Sequence, residues 1–147
     1  MNVRRLKPRR ILALMHEALV PPETIKGLTD EQIHPWKMEY DVKTTLEQMG
    51  HDVHPVGLYG DLDLLRETIG RMQPDIVFNM LEEFDGQPLF DQHLVSYLEL
   101  LKVPYTGCNP RGLTLAHDKA LSKQILAHHG IPVPDFAVFP VGRKVRR

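Results

Sequence analysis

The chain has 147 residues, 42% of them hydrophobic and 25% charged, which is enough apolar material for about one globular domain with a core. With 18 basic and 19 acidic residues the formal net charge is -1, so no global field argues for nucleic acid or an anionic membrane as partner. The single cysteine cannot close an internal disulfide, which points to a reducing, cytoplasmic setting, and the longest early apolar run is too short for a signal core or a membrane span.

Residues Met1 to Arg10 carry Arg4, Arg5, Lys7, Arg9 and Arg10, read here as a solvated lead-in rather than an RNA-binding arm. Ile11 to Met15 is a continuous apolar run and predicts a first strand buried on both faces. In open α/β sheets ligands bind beyond the carboxyl ends of such strands. From His16 to Pro35 the chain holds Pro21-Pro22 and Gly27 and predicts a long loop, a length that usually marks function or mobility. No G-x-G-x-x-G follows the first strand and no G-x-x-x-x-G-K-[ST] occurs, which argues against a classical dinucleotide site and a P-loop.

Met38, Val42, Leu46 and Met49 recur at helical spacing, predicting an amphipathic helix from Pro35 to Met49 with its methionines in the core and Gly50 as its stop. Asp52 to Gly57 predicts a second strand. His51 and His54 would lie on opposite faces of extended chain with no third ligand nearby, so no metal site is expected. Asp61 caps a helix that turns Leu62, Leu65, Ile69 and Met72 inward and ends at Pro74.

Asp75 to Asn79 predicts a third buried strand, and the turn after it brings Glu82, Glu83 and Asp85 to the carboxyl edge of the sheet. Three carboxylates there suit an ammonium-bearing substrate; they equally suit a solvated loop. Pro88 opens a helix whose stripe is Phe90, Leu94, Leu98 and Leu101, after which Lys102 stands where glycine would be the easier stop. Val103 to Thr106 predicts a short strand and Gly107 a turn. Asn109 then caps a helix with Pro110 in its first position, and Asp118 caps or restarts it. Lys119 falls in a first helical turn, against the macrodipole; phosphate oxygens would give it a partner, and a solvated lysine is the alternative. Cys108 reads as a small structural thiol, and His128 and His129 as cations suited to a helix C-terminus. Gly130 and Ile131-Pro132 end that helix, Asp135 to Phe139 predicts one more strand, and the residues to Arg147 are basic.

The run YTG, its continuation TGCNPRGLTLAHDK, the exit GIPVPDF and the upstream LEEFDGQPLFDQHLVSYLELLKVPYTG resemble the N-terminal domain of D-alanine:D-alanine ligases and their ATP-grasp relatives. The specific residues lie between Glu82 and Pro134. The resemblance implies a three-layer, Rossmann-like pre-ATP-grasp α/β domain over residues 1–134. Its mainly parallel sheet would have about four strands, near 11–15, 52–57, 75–79 and 104–106. Residues 135–147 would begin the ATP-grasp domain, so the chain is expected to be the N-terminal part of a longer ligase.

In such a ligase ATP phosphorylates a carboxylate and an amine attacks the acylphosphate. The resemblance implies ATP and Mg2+ in the full-length parent, with none tightly bound to this chain. Lys119 would face ATP phosphate, and Glu17, Glu82, Glu83, Asp85 and Gly86 would hold substrate; no catalytic residue is assigned. In the resembled ligases a glutamate just beyond the first strand holds the substrate's ammonium group, and Glu17 and Glu23 are the candidates here. The serine-rich first loop and the His-Gly turn of those ligases are absent, Asn79-Met80 and Leu81-Glu82 occupying the turn. The expected partner is therefore a small amino-acid-like substrate other than D-alanine, with a homodimer as an option and no nucleic acid or membrane. The reading from another class is a non-catalytic α/β binding or dimerisation module.

Overall fold

The computed structural model describes residues 7–139 and 142, so most of the basic arm and of the basic tail lies outside the described residues. Three strands, β1 (Arg10–His16), β2 (Asp52–Leu58) and β3 (Ile76–Asn79), form a sheet in the order β2-β1-β3. Both pairings are parallel, with Ile11 opposite Val53 on one side and Ile76 on the other. Parallel neighbours need crossovers, and helices supply them: α1 (Asp30–Ile33) and α2 (Lys37–Gln48) between β1 and β2, and α3 (Leu62–Met72) between β2 and β3. After β3 come α4 (Asp91–Leu100), α5 (Pro110–His117) and α6 (Lys119–His128).

The apolar run of β1 feeds two layers because successive side chains leave a strand on opposite faces. Leu12 and Leu14 enter a cluster with Leu58, Leu65, Ile69, Leu94 and Leu98, which joins the sheet to α3 and α4. Ile11, Ala13 and Met15 enter the other, with Val53 and the half-buried Leu46 of α2. The result is a three-layer α/β domain. Each fully buried leucine contributes about 1.5–3 kcal/mol of transfer free energy, so the face carrying α3 and α4 holds most of the hydrophobic stabilisation.

The expected fourth strand is reduced to one parallel bridge between Tyr105 and Val77. Val77 N–H donates to Pro104 O at 2.8 Å and Thr106 N–H to Val77 O at 3.0 Å. The ladder stops there because Pro104 has no N–H to give and Gly107, at φ +99°, turns the chain away. The strand expected at 135–139 is not formed: that segment carries no regular structure, and no strand lies beside it among the described residues. The 16–35 stretch is more ordered than a bare loop. It holds a 3-10 turn (Glu17–Leu19) and α1, whose Thr29 and Gln32 form a reciprocal capping box.

Two apolar stripes also differ from expectation. Met38 of α2 and Met49, its C-cap, are 53% and 47% exposed, while Glu39 is 2% exposed, so the helix is rotated to put a carboxylate where a methionine was expected. In α4 the buried apolar side chains are Leu94, Val95 and Leu98, with Asp91 also buried at its start; Phe90 precedes the helix and lies edge-on to His93. The caps follow the sequence. The Oδ1 atoms of Asp61, Asn109 and Asp118 accept from Asp63, Gly112 and Leu121 N–H, each at 2.8 Å. No helix among the described residues is long and apolar enough to cross a membrane.

Candidate functional site

His16 is the last residue of β1, so the parallel sheet places it at the carboxyl edge where a crevice opens. A cavity of about 420 Å³ lies there, with His16 and Leu19 on one side and, on another, His34 and Pro35 of the 3-10 turn before α2 and Met38 and Glu39 at its start. Met80, Glu82 and Glu83, from the turn after β3, complete its lining. The walls are thus partly apolar, through Leu19, Pro35, Met38 and Met80, and partly acidic.

The imidazole of His16 is held from two sides. Its Nδ1 accepts from Ala18 N–H at 3.1 Å, which leaves Nε2 to carry a proton toward Glu83 Oε1, 3.5 Å away. Tyr59 lies edge-on to the same ring at 5.6 Å. Glu82 is exposed at the rim, whereas Glu39 is almost wholly covered, and no buried side-chain nitrogen or oxygen among the described residues lacks a partner.

Of the residues singled out in the sequence, Glu82 and Glu83 meet in this cavity. Glu17 and Glu23 are exposed and do not line it. Asp85 and Gly86 also fall outside its lining: they form a turn at φ +53° and +69° in which Asp85 N–H donates to Tyr59 O at 2.8 Å. A side chain on Gly86 would put its Cβ 3.0 Å from Tyr59 Oη, so the turn is fitted to the loop after β2. Lys119 is the first residue of α6 and lines a separate groove of about 330 Å³ with Lys123 and the segment Phe136 to Phe139. Lys123 Nζ sits 5.1 Å from the Phe136 ring centroid.

Sequence reading missed His16, His34 and Glu39. His16 was readable as the residue closing the first strand at the ligand-binding edge. Glu39 was hidden by a search for apolar periodicity, which passes over a buried carboxylate by construction.

The chain is thus an α/β domain with a cavity of carboxylates and histidines at the carboxyl ends of its parallel sheet, the edge where ligands bind in such folds. No family model matches the chain. It is 34% identical over 111 residues to a D-alanine--D-alanine ligase of Moorella thermoacetica, covering 70% of this chain and 33% of the relative. It is 33% identical over 118 residues to an uncharacterized protein, y4sG, of Sinorhizobium fredii, covering 74% of this chain and 34% of that one. The solved D-alanine--D-alanine ligase from Bacillus anthracis complexed with ATP superposes with a TM-score of 0.65 at 22% identity, over 94% of this chain and 42% of the other, a likeness that establishes the fold. The chain resembles an N-terminal portion of the D-alanine--D-alanine ligases and spans about a third of the length of the curated relatives it matches.

Proposed function

We propose that this chain is the substrate-holding N-terminal part of an ATP-dependent carboxylate-amine ligase, working through an acylphosphate that an amine attacks. The observation that carries the reading is the acidic, partly apolar cavity at the carboxyl edge of the sheet, in a chain whose relatives include D-alanine--D-alanine ligases. Residues 1–134 form the pre-ATP-grasp domain in this reading, and 135–147 begin the domain that follows.

The cavity and the Lys119 groove divide the work. Glu82 and Glu83 face the amino-acid-like substrate, and His16 fixes Glu83. The groove fits the anionic part of a nucleotide: Lys119 and Lys123 supply two ammonium groups, the amides at the start of α6 lie beside them, and Phe136 and Phe139 form an apolar wall. ATP, when bound, supplies the phosphoryl group that activates the carboxylate. Among the described residues no group of three His, Cys, Asp or Glu side chains is arranged to hold a metal.

The test is ADP release by the full-length gene product with a panel of amino acids. Turnover with an amino acid other than D-alanine is the expected result; absence of amino-acid-dependent ADP release overturns the reading. Lys119→Ala in the same protein is expected to weaken ATP use by about 10- to 100-fold, the loss of one charge-assisted contact. A melting point lowered with ATP dependence intact would make Lys119 a structural residue.

A further inference from the structure

His16 is bonded in a way that only its neutral form satisfies. It caps the 3-10 turn Glu17–Leu19, its Nδ1 accepting from Ala18 N–H at 3.1 Å. Protonating Nδ1 turns that acceptor into a donor aimed at another donor, so the imidazolium cannot keep the bond. On the other side of the ring the preference is reversed. Nε2 stands 3.5 Å from Glu83 Oε1, a contact that gains from a full positive charge on the ring. The two contacts therefore favour opposite protonation states of one side chain.

The turn has little else to hold it. None of its residues is buried, and its closing bond, Val20 N–H to Glu17 O, is long at 3.5 Å. It is seated against β2 at Gly57, where an added Cβ would stand 2.6 Å from Val20 Cγ2 and 2.7 Å from Glu17 Cα. Its ends are fixed by β1 and by the buried Pro21, so a movement of the turn stays local. Between those ends lies Leu19, part of the cavity wall.

We propose that His16 is a proton-operated latch on the cavity. In its neutral form it holds Leu19 in the wall; protonated, it goes over to Glu83 and releases Glu17 to Val20, widening the entrance. Imidazole is the side chain that ordinarily changes charge between about pH 5 and 8, so the latch opens toward the acid side of that range. The ionisable groups around the ring are Glu17 beside it, Glu82 and Glu83 from the turn after β3, and His34 and Glu39 from the opposite wall. Tyr59, from the loop after β2, lies edge-on at 5.6 Å. The carboxylates all favour a charged His16, whereas His34 is a second imidazole and calls for its own control. This rests on the reading of the cavity as a ligand site and names its regulation.

The experiment follows the 147-residue chain by NMR without ATP or substrate, so that its outcome is independent of ligase activity. The His16 ring, the Ala18 amide and the Leu19 methyl groups are titrated across about pH 5 to 8. All three should change with one midpoint. The protection factor of the Ala18 amide should fall about 2- to 10-fold toward acid, the loss of one ordinary hydrogen bond, while the amides of α3 and α4 stay as they are. His16→Asn supplies a capping oxygen that does not titrate, so Ala18 and Leu19 should then keep one state throughout. Glu83→Gln removes the counter-charge and should move the midpoint to lower pH. His34→Gln should leave the transition of Ala18 in place. A ring titration that Ala18 and Leu19 ignore, a transition retained in His16→Asn, a midpoint unmoved or raised in Glu83→Gln, or a transition abolished in His34→Gln each overturns the proposal. If His16→Asn does not fold, the common midpoint and the Glu83→Gln shift decide. A parent that releases no ADP while the latch works refutes the ligase reading alone. Turnover by the parent while Ala18 and Leu19 ignore the ring refutes the latch alone.

Discussion

Tyr105 donates its hydroxyl to Glu99 Oε1 at 2.7 Å, and its phenol is pushed up to about 12, chiefly by burial and then by the hydrogen bond and charge of Glu99. A raised value means the folded state favours the protonated phenol, so this stabilisation is complete below the ordinary value of 10.0 and is lost as pH rises through about 12. Titration by phenolate absorbance should show one of the four tyrosines ionising late, and Glu99→Gln should bring it down. Asp75 has the opposite sign. The Arg10 N–H, donating at 2.8 Å, holds its carboxyl below the ordinary value of 3.8, outweighing the opposing effect of desolvation, with the charges of Arg9 and Arg10 adding to it. Its contribution is present above that value and is lost as pH falls through the depressed one, so Asp75→Asn should flatten the acid limb of the stability curve. Lys102, at φ +56°, occupies a left-handed position that glycine fills without strain. Lys102→Gly should raise stability by up to about 1 kcal/mol, read as a higher denaturant midpoint at unchanged slope.

At the scale of elements, α5 and α6 contain no buried residue, so they are held by polar ties rather than by a core. The main tie is His117 Nε2 to Asp91 Oδ2 at 2.9 Å, with Asp91 8% exposed at the head of α4. Removing the imidazole leaves a covered carboxylate short of a partner. His117→Ala should therefore cost about 1–3 kcal/mol and raise hydrogen exchange in α5 before it does in the sheet. Asp118→Ala should cost about 1 kcal/mol through the lost cap of α6, with the loss confined to that helix. These elements were legible because their signals are local: Asn109-Pro110 and Asp118 name helix starts from chemistry within three residues of themselves. The rotation of α2 was not legible, because Met38 and Glu39 are neighbours and apolar spacing alone chooses the methionine. Both line a cavity completed by residues of β1 and of the turn after β3, distant in sequence, which apolar spacing along one helix does not register. The strand expected at 135–139 failed for a related reason: a strand needs a partner as well as a propensity.

For the molecule as a whole, β1 is the strand on which everything rests, since it pairs on both sides and feeds both layers. Leu14→Ala, at a fully buried position, should cost about 2–5 kcal/mol, and the amides of β1 should exchange only through global unfolding. The order of the sheet, β2-β1-β3, has a consequence for the ribosome. The central strand is made first, and its two partners follow it only after intervening helices have been synthesised. At about 5–20 residues per second, Ile11 to Met15 waits on the order of seconds as a bare apolar segment with free amides and carbonyls along both edges. During that interval the segment most deeply buried in the finished domain is the one most exposed to nascent-chain chaperones and to the same segment on a neighbouring polysome.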